Sequence, residues 1–342
     1  MASGLSFDFF IRINCRFLEF TIVQRLMKNC QKLSGYSKIS PADVLGVDMT
    51  QPIVEKVTRE SVFNLDASTI FEGDALTVLR RLPSGSVRCV VTSPPYWGLR
   101  DYGIEEQIGL EMAMPQFIQK LVMVFSEVKR VLTDDGTLWV NIGDGYTSGN
   151  RGYRAADKKN PARAMTVRPD TPEGLKPKDL MGIPWRLAFA LQDDGWYLRT
   201  DIIWNKPNAM PESVKDRPTR SHEFLFMFSK SEKYYYNSDA VKQVADGGGL
   251  RNLRSVWNVN TKPYAGAHFA TFPLDLIRPC IKASSEPGDF VLDPFFGSGT
   301  VGLVCNEENR NFAGIELNPS YVDLALDRLG GTFNKIVRIN AA

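Results

Sequence analysis

Histidine occurs twice and cysteine five times in this 342-residue chain, and the cysteines at 15, 30, 89, 280 and 305 form no Cys-x-x-Cys pair. A disulfide framework or a structural zinc site needs closely spaced thiols, so neither organises this chain and reduced thiols are expected. His222 and His268 lack metal-ligand spacing, and no metal is expected. Long apolar runs are missing too. Asp8, Arg12, Arg16 and Glu19 break the apolar stretch from Phe7 to Val23, and no run reaches the ~18 residues of a spanning helix. The expectation is a cytoplasmic protein without a membrane partner. Charge of one sign is scarce as well. Forty-one Lys and Arg against 39 Asp and Glu leave a net +2, too little to imply a polyanionic partner, so the placement of charges must decide. What is present, 43% hydrophobic and 23% charged residues, is ordinary for a globular chain, and the length allows one large domain with insertions or two domains.

Residues 1–60 carry no clear period and are punctuated by Gly35, Pro41 and Pro52, which predicts an arm to which no role is assigned. A catalytic domain is expected over 61–342. Its first unit reads as strand Thr69-Ile-Phe-Glu72, a helix opened by Asp74 and ending near Leu82, and a buried strand Val87–Thr92. An apolar-periodic helix follows (Phe117, Leu121, Val124, Phe125, Val128, Val131, Leu132), then an Asp134-Asp-Gly136 turn and a strand Thr137–Ile142. Further on, helices are predicted over 185–191, 274–284 and 301–308, and strands over 198–204, 223–228, 290–293 and 311–316. This alternation predicts an α/β protein with a doubly wound, mostly parallel sheet. Two polar stretches interrupt it, at 143–180 and 229–260, and both are candidate insertions for partner recognition.

Strand Phe290-Val-Leu-Asp293 runs into Pro294-Phe-Phe-Gly-Ser-Gly-Thr300 and a helix, the place where such a sheet binds a nucleotide-like ligand. No Gly-Lys-Ser/Thr follows, which removes the P-loop reading. Gly297-x-Gly299-x-x-Gly302 matches a dinucleotide fingerprint, and Glu316 lies near the matching acidic spacing. A nicotinamide-dependent oxidoreductase therefore stays open on the glycines alone. Against it, Asp293 puts a carboxylate where a pyrophosphate is repelled and an ammonium is welcomed, so an amino-acid cofactor fits better. Glu316, ending its strand, is placed to accept from ribose hydroxyls.

Thr92-Ser-Pro-Pro-Tyr-Trp97 ends the buried strand. Two prolines cannot continue a strand and fix an exposed turn. Such a turn offers the Ser93 hydroxyl, the Pro94 carbonyl and the flat face of Tyr96, with Pro95 stiffening it. A planar amine of a nucleobase can donate both hydrogens to the first two and stack on the third. The same tetrapeptide can also do no more than end a strand. Pro279-Cys280 is a dipeptide suited to thiolate attack on a pyrimidine carbon, but it falls in a predicted apolar helix with Leu274, Ile277 and Ile281, where packing is its expected role.

Together, Ser93-Pro-Pro-Tyr96 and Asp293-Pro-Phe-Phe-Gly-Ser-Gly-Thr300 resemble the amino-group DNA methyltransferases of the β class, in which the catalytic motif precedes the cofactor motif. The resemblance spans about 68–330. It implies S-adenosyl-L-methionine as cofactor, with Asp293, Pro294, Phe295, Gly297, Ser298, Gly299, Thr300 and Glu316 binding it. It also implies contact of Asp74, in Glu72-Gly-Asp74, with the adenine, and of Thr271 and Phe272, in His268-Phe-Ala-Thr-Phe-Pro273, near the methionine end. Serine in the first catalytic position goes with cytosine-N4 transfer in that family and aspartate with adenine-N6. The expected enzyme is a site-specific cytosine-N4 methyltransferase of a restriction-modification system acting on a flipped-out base, with adenine-N6 as the alternative. A nucleic-acid-binding module without catalysis is a third reading, one that leaves the Ser-Pro-Pro-Tyr turn without a purpose.

Double-stranded DNA is the expected partner, and a homodimer is left open. A buried amine is unreachable until its nucleotide is flipped, so basic loops should flank the site. Arg151, Arg154, Lys158, Lys159 and Arg163 lie in the first polar stretch, and Lys215, Arg217 and Arg220 form a second group; all are candidate DNA contacts. Only some thirty residues separate Phe228 from Val259, short for the region in which the family reads sequence.

Overall fold

The structure, a computed structural model, describes residues 53–57, 62–99, 101–104, 107–147, 169–262 and 271–339. In chain order these build β1 (Ile53–Val57), β2 (Thr69–Glu72), α1 (Ala75–Leu79), β3 (Val87–Thr92), α2 (Met114–Val131) and β4 (Leu132–Ile142). Next come α3 (Ile183–Asp193), β5 (Tyr197–Asn205), β6 (His222–Ser229), β7 (Gln243–Val244), β8 (Leu250–Arg251) and β9 (Val256–Asn258). The last elements are α4 (Leu274–Ser284), β10 (Phe290–Asp293), α5 (Thr300–Glu307), β11 (Asn311–Glu316), α6 (Pro319–Leu329) and β12 (Lys335–Ile339).

Ten strands form one sheet in the order β1-β12-β2-β11-β10-β3-β4-β6-β5-β9. Within it β6 runs antiparallel to both neighbours, and the other pairings are parallel. The doubly wound, mostly parallel α/β sheet is therefore as expected. Successive residues of the central strands enter opposite cores. Phe71, Val90, Val140, Leu292 and Ala313 face the cluster with α1, α2 and α3. Ile70, Cys89, Val91, Trp139, Val291 and Phe312 face the cluster with α4, α5 and α6. A sheet covered on both faces explains why its strands read as nearly continuous apolar runs. Helix α2 carries Pro115 in its first turn, buries Phe117, Leu121, Val124, Phe125 and Val128, and ends with Lys129 and Arg130 in its last turn, as a helix dipole favours.

Four differences from the sequence reading have physical causes. The Asp134-Asp-Gly136 turn lies inside β4: Leu132 pairs with Val87 and Thr137 with Cys89, so five steps on one strand match two on the other and the turn is a bulge. Residues 53–57, inside the range given to the arm, form an edge strand on β12. Helix α6 and β12 were not foreseen, although Asn318 caps α6, its buried residues are Val322, Ala325 and Leu329, and Gly330 ends it at φ 58°.

The fourth difference concerns the insertion at 229–260. Because β6 is antiparallel, its end at Ser229 lies at the edge of the sheet opposite the catalytic turn. Tyr235 N–H donates to the Asp135 carbonyl and Asn237 N–H to the Ala283 carbonyl, holding the first part of the insertion there. The chain returns as β9, parallel to the last three residues of β5, with Val256 beside Ile203 and Asn258 beside Asn205 at the catalytic edge. The first part of this candidate recognition segment is thus tied down away from the site, and its last part returns to it.

Candidate active site

Strands β10 and β3 are neighbours, with Val291 opposite Cys89 and Leu292 opposite Val90. From their carboxyl ends the chain leaves to opposite faces, through 294–299 to α5 and through 93–113 to α2. This is the switch point where an open α/β sheet has its ligand crevice.

On the β10 side, Gly297 and Gly299 adopt φ of 52° and 77°, a region that strains residues with a Cβ. Their turn brings backbone N–H groups round to Glu316 at the end of β11. Gly297 N–H donates to Glu316 Oε2 at 2.8 Å, and Asn318 N–H to Oε1 at 2.8 Å. Asp293 Oδ1 accepts from the Thr92 hydroxyl at 2.6 Å and from Phe295 N–H at 3.0 Å, which stitches the glycine loop to the catalytic strand. Burial is the main reason that both carboxyls titrate high, Asp293 at about 7 and Glu316 at about 7. A cofactor carrying an ammonium and a sulfonium fits this pair, since a nearby cation returns a buried carboxyl to its anion. Backbone N–H groups do not exhaust the lone pairs of the Glu316 carboxylate, which can still accept from a ribose hydroxyl.

The other cofactor positions divide into two groups. Pro294 and Phe295 lie in the loop itself, whereas Ser298 Oγ and Thr300 Oγ1 each accept from Arg328 of α6 at 2.8 Å. Those hydroxyls hold the loop to the helix behind it. Asp74 is exposed and caps α1 by accepting from Thr77 N–H at 2.8 Å; it stays at the rim because Gly73 N–H donates to the Glu316 carbonyl at 2.9 Å. Thr271 and Phe272 are half-buried just before Pro273, the N-cap of α4.

On the β3 side, Pro94 is buried while Ser93, Pro95 and Tyr96 are half-buried. Trp97 anchors the turn, its Nε1–H donating to the Glu111 carbonyl at 2.8 Å. The Tyr96 hydroxyl donates to Glu223 Oε2 at 2.8 Å, and Glu223 Oε1 pairs with Lys206. Burial, with the Glu223 carboxylate beside it, pushes the phenol well above its usual range, so Tyr96 remains a neutral donor. The ring lies against Gly143, where an added Cβ would come within 2.8 Å of Tyr96 Cε2.

Arg151, Arg154, Lys158, Lys159 and Arg163 fall outside the described residues. The ends of their loop are described and are joined: Tyr146 pairs with Leu180, Thr147 N–H donates to the Asp179 carbonyl, and Met181 N–H to the Gly145 carbonyl. The neck thus hangs the loop from the catalytic end of β4. In the second basic group Lys215 is exposed. Arg217 pairs with Glu212 at 2.7 Å and sits 3.9 Å over the Tyr146 ring. Arg220 is mostly buried, 3.9 Å from the Asp144 carboxylate. Two of those three cations therefore have internal partners.

Cys280 is fully buried in α4, its thiol pushed well above the usual range by burial, which disables it as a thiolate nucleophile. Among the described residues no group of three or more His, Cys, Asp or Glu could hold a metal, and no helix is long and apolar enough to cross a membrane.

The fold and this crevice, with a proline turn on one strand and a glycine loop with two buried carboxyls on the next, define a nucleobase-amine methyltransferase. Residues 87–327 match the N6/N4 DNA methylase family, and the chain belongs to it. Over 289 residues it is 80% identical to the Type II methyltransferase M.XycI of Xanthomonas campestris pv. cyanopsidis, covering 84% of this chain and 96% of that one. It is 76% identical, with the same coverage, to the Type II methyltransferase M.Cfr9I of Citrobacter freundii. Among solved structures, the PvuII DNA methyltransferase (cytosine-N4-specific) superposes with a TM-score of 0.58 at 19% identity, over 85% of this chain and 98% of that one. The protein is a Type II DNA methyltransferase of the restriction-modification kind, from a family whose cofactor is S-adenosylmethionine.

Thr92, Gly143, Lys206, Glu223 and Arg328 were missed from the sequence. The signal for Glu223 was there: it is a lone charge heading the apolar run Phe224–Phe228.

Proposed function

We propose that the protein methylates the exocyclic N4 amine of a cytosine flipped out of double-stranded DNA. The observation that carries this is the serine at the head of the catalytic turn: Ser93 follows β3 directly, and Asp293, joined to the same strand through Thr92, marks the cofactor side. S-adenosylmethionine supplies an activated methyl group there. Gly297, Gly299 and Glu316 would hold its nucleoside, with Asp293 and Phe295 as the further residues that would bind it. Ser93 and the Pro94 carbonyl would accept the two amine hydrogens, drawing the nitrogen lone pair out of ring conjugation and aiming it at the methyl carbon; as the nitrogen–carbon bond forms the carbon–sulfur bond breaks, and the nitrogen gives up one proton to solvent. Tyr96 stacks on the base. Most of the rate enhancement then comes from positioning.

The neutral Ser93 hydroxyl accepts without placing a charge beside the base, and in this family it goes with the smaller ring. Adenine-N6 transfer is the second reading, because the two amines are equally conjugated. Arg151, Arg154, Lys158, Lys159, Arg163 and Lys215 are the proposed phosphate contacts, with Arg217 held over the Tyr146 ring and Arg220 beside Asp144. The test is transfer of a tritiated methyl group to DNA, followed by hydrolysis and chromatography of the bases. Label eluting with N4-methylcytosine supports the proposal, label with N6-methyladenine establishes the second reading, and label with 5-methylcytosine contradicts both.

A further inference from the structure

Stacking uses only the face of an aromatic ring, and a phenylalanine would supply it. The hydroxyl of Tyr96 therefore calls for another explanation, since burying a phenol oxygen costs free energy unless it is bonded. Its partner is Glu223, at 2.8 Å. That carboxylate is itself held: Lys206 pairs with its other oxygen, the two side chains being 20% and 17% exposed. The Lys206 ammonium lies 4.1 Å from the centre of the Trp204 indole. Register fixes all three, because Trp204 of β5 is paired with Glu223 of β6, and Phe224 with Ile142 of β4, one residue before Gly143. Gly143 leaves the space that the Tyr96 ring fills, and Glu223 borders the same space.

We propose that Glu223, locked by Lys206, is a positioning residue for the Tyr96 ring. It holds the ring upright against Gly143 before the base arrives. A phenol rather than a phenyl stands at the end of the catalytic turn because this bond is needed. The inference rests on the reading that Tyr96 stacks on the target base, whichever base that is.

A double-mutant cycle on methyl transfer tests it, with kcat and the KM for DNA measured separately and cofactor affinity as a control. Glu223→Ala is expected to lower kcat about ten- to a hundred-fold, the range for losing a hydrogen bond to a charged group, with cofactor affinity unchanged. Glu223→Gln, which retains an accepting oxygen, recovers most of that loss. Tyr96→Phe loses a similar factor, and adding Glu223→Ala to it costs less than about two-fold more. If Glu223→Ala costs as much in the Tyr96→Phe background as in the native chain, or if neither single change lowers kcat, the inference is overturned. Tyr96→Ala keeps the underlying reading separate: full activity in that variant removes the stacking role itself. Should Glu223→Ala leave Lys206 unpaired and the chain unfolded, Glu223→Leu combined with Lys206→Met removes both charges and runs the same cycle.

Discussion

Asp293 and Glu316 carry their protons to about pH 7 in the ligand-free protein, against roughly 4 for carboxyls in an unfolded chain. Between those values the folded chain binds more protons than the unfolded one. The stability these groups contribute is therefore complete below about pH 4 and is lost as pH rises through about 7. Asp293→Asn removes that dependence at one site while its side-chain oxygen can still accept from Thr92 and Phe295. Its thermal midpoint should gain on that of the native chain between pH 5 and pH 8, while affinity for S-adenosylmethionine falls about ten- to a hundred-fold. Glu316→Ala should lose affinity by a similar factor. Calorimetry reads both quantities; parallel midpoint curves, or normal cofactor binding by folded Glu316→Ala, would contradict the assignment. These two carboxyls were legible in the sequence because each closes an apolar strand beside a turn. The bonds of Glu316 to Gly297 and Asn318 were not, because they depend on how β10 and β11 are registered.

At the scale of elements, the site depends on three loops meeting at one edge of the sheet. Two were legible as motifs, the proline turn after β3 and the glycine loop after β10, since each concentrates unusual backbone chemistry in a few residues. The third contributor, the junction of β4, β5 and β6, carries no motif. Gly143, Lys206 and Glu223 are distant in sequence and meet only through antiparallel pairing. Gly143→Ala tests that junction. The added Cβ would lie 2.8 Å from the Tyr96 ring and 3.3 Å from Glu223, so the ring must shift by a few tenths of an ångström or more. Displacements of about 1 Å at a reacting group cost about a hundred-fold, and a loss in kcat of about ten-fold or more is expected. Cofactor affinity should hold, because Asp293 and the glycine loop lie on the other side of β3. An equal loss of cofactor binding would show that the substitution disturbs the whole crevice. Helix α6 has the corresponding role for the glycine loop, through Arg328. It was overlooked although its cap and period are ordinary.

Across the whole molecule, a net charge of +2 offers no general attraction for DNA, so phosphate binding must be local. The neck between Tyr146 and Leu180 joins the basic loop to the chain at the catalytic end of β4, whereas the start of the insertion at 229–260 is fastened at the opposite edge through Tyr235 and Asn237. The cations of the first loop are therefore the ones expected to meet the duplex. Replacing Lys158, Lys159 and Arg163 with alanine should weaken binding to all DNA sequences and flatten the salt dependence, each lost phosphate contact lowering the slope by about 0.9. Fluorescence anisotropy over a range of salt concentrations measures this, and an unchanged slope would mean that these side chains leave the phosphates untouched.

The central claim is in-line transfer to the amine of cytosine, assisted by the Ser93-Pro-Pro-Tyr96 turn and without a covalent enzyme intermediate. Nucleoside mass spectrometry of unmethylated DNA treated with the purified protein and S-adenosylmethionine addresses it most directly, with fragmentation standards that separate N4- from 5-methyldeoxycytidine. The account predicts N4-methyldeoxycytidine as the main product. N6-methyldeoxyadenosine would contradict the choice of base, and 5-methyldeoxycytidine would contradict the mechanism as well.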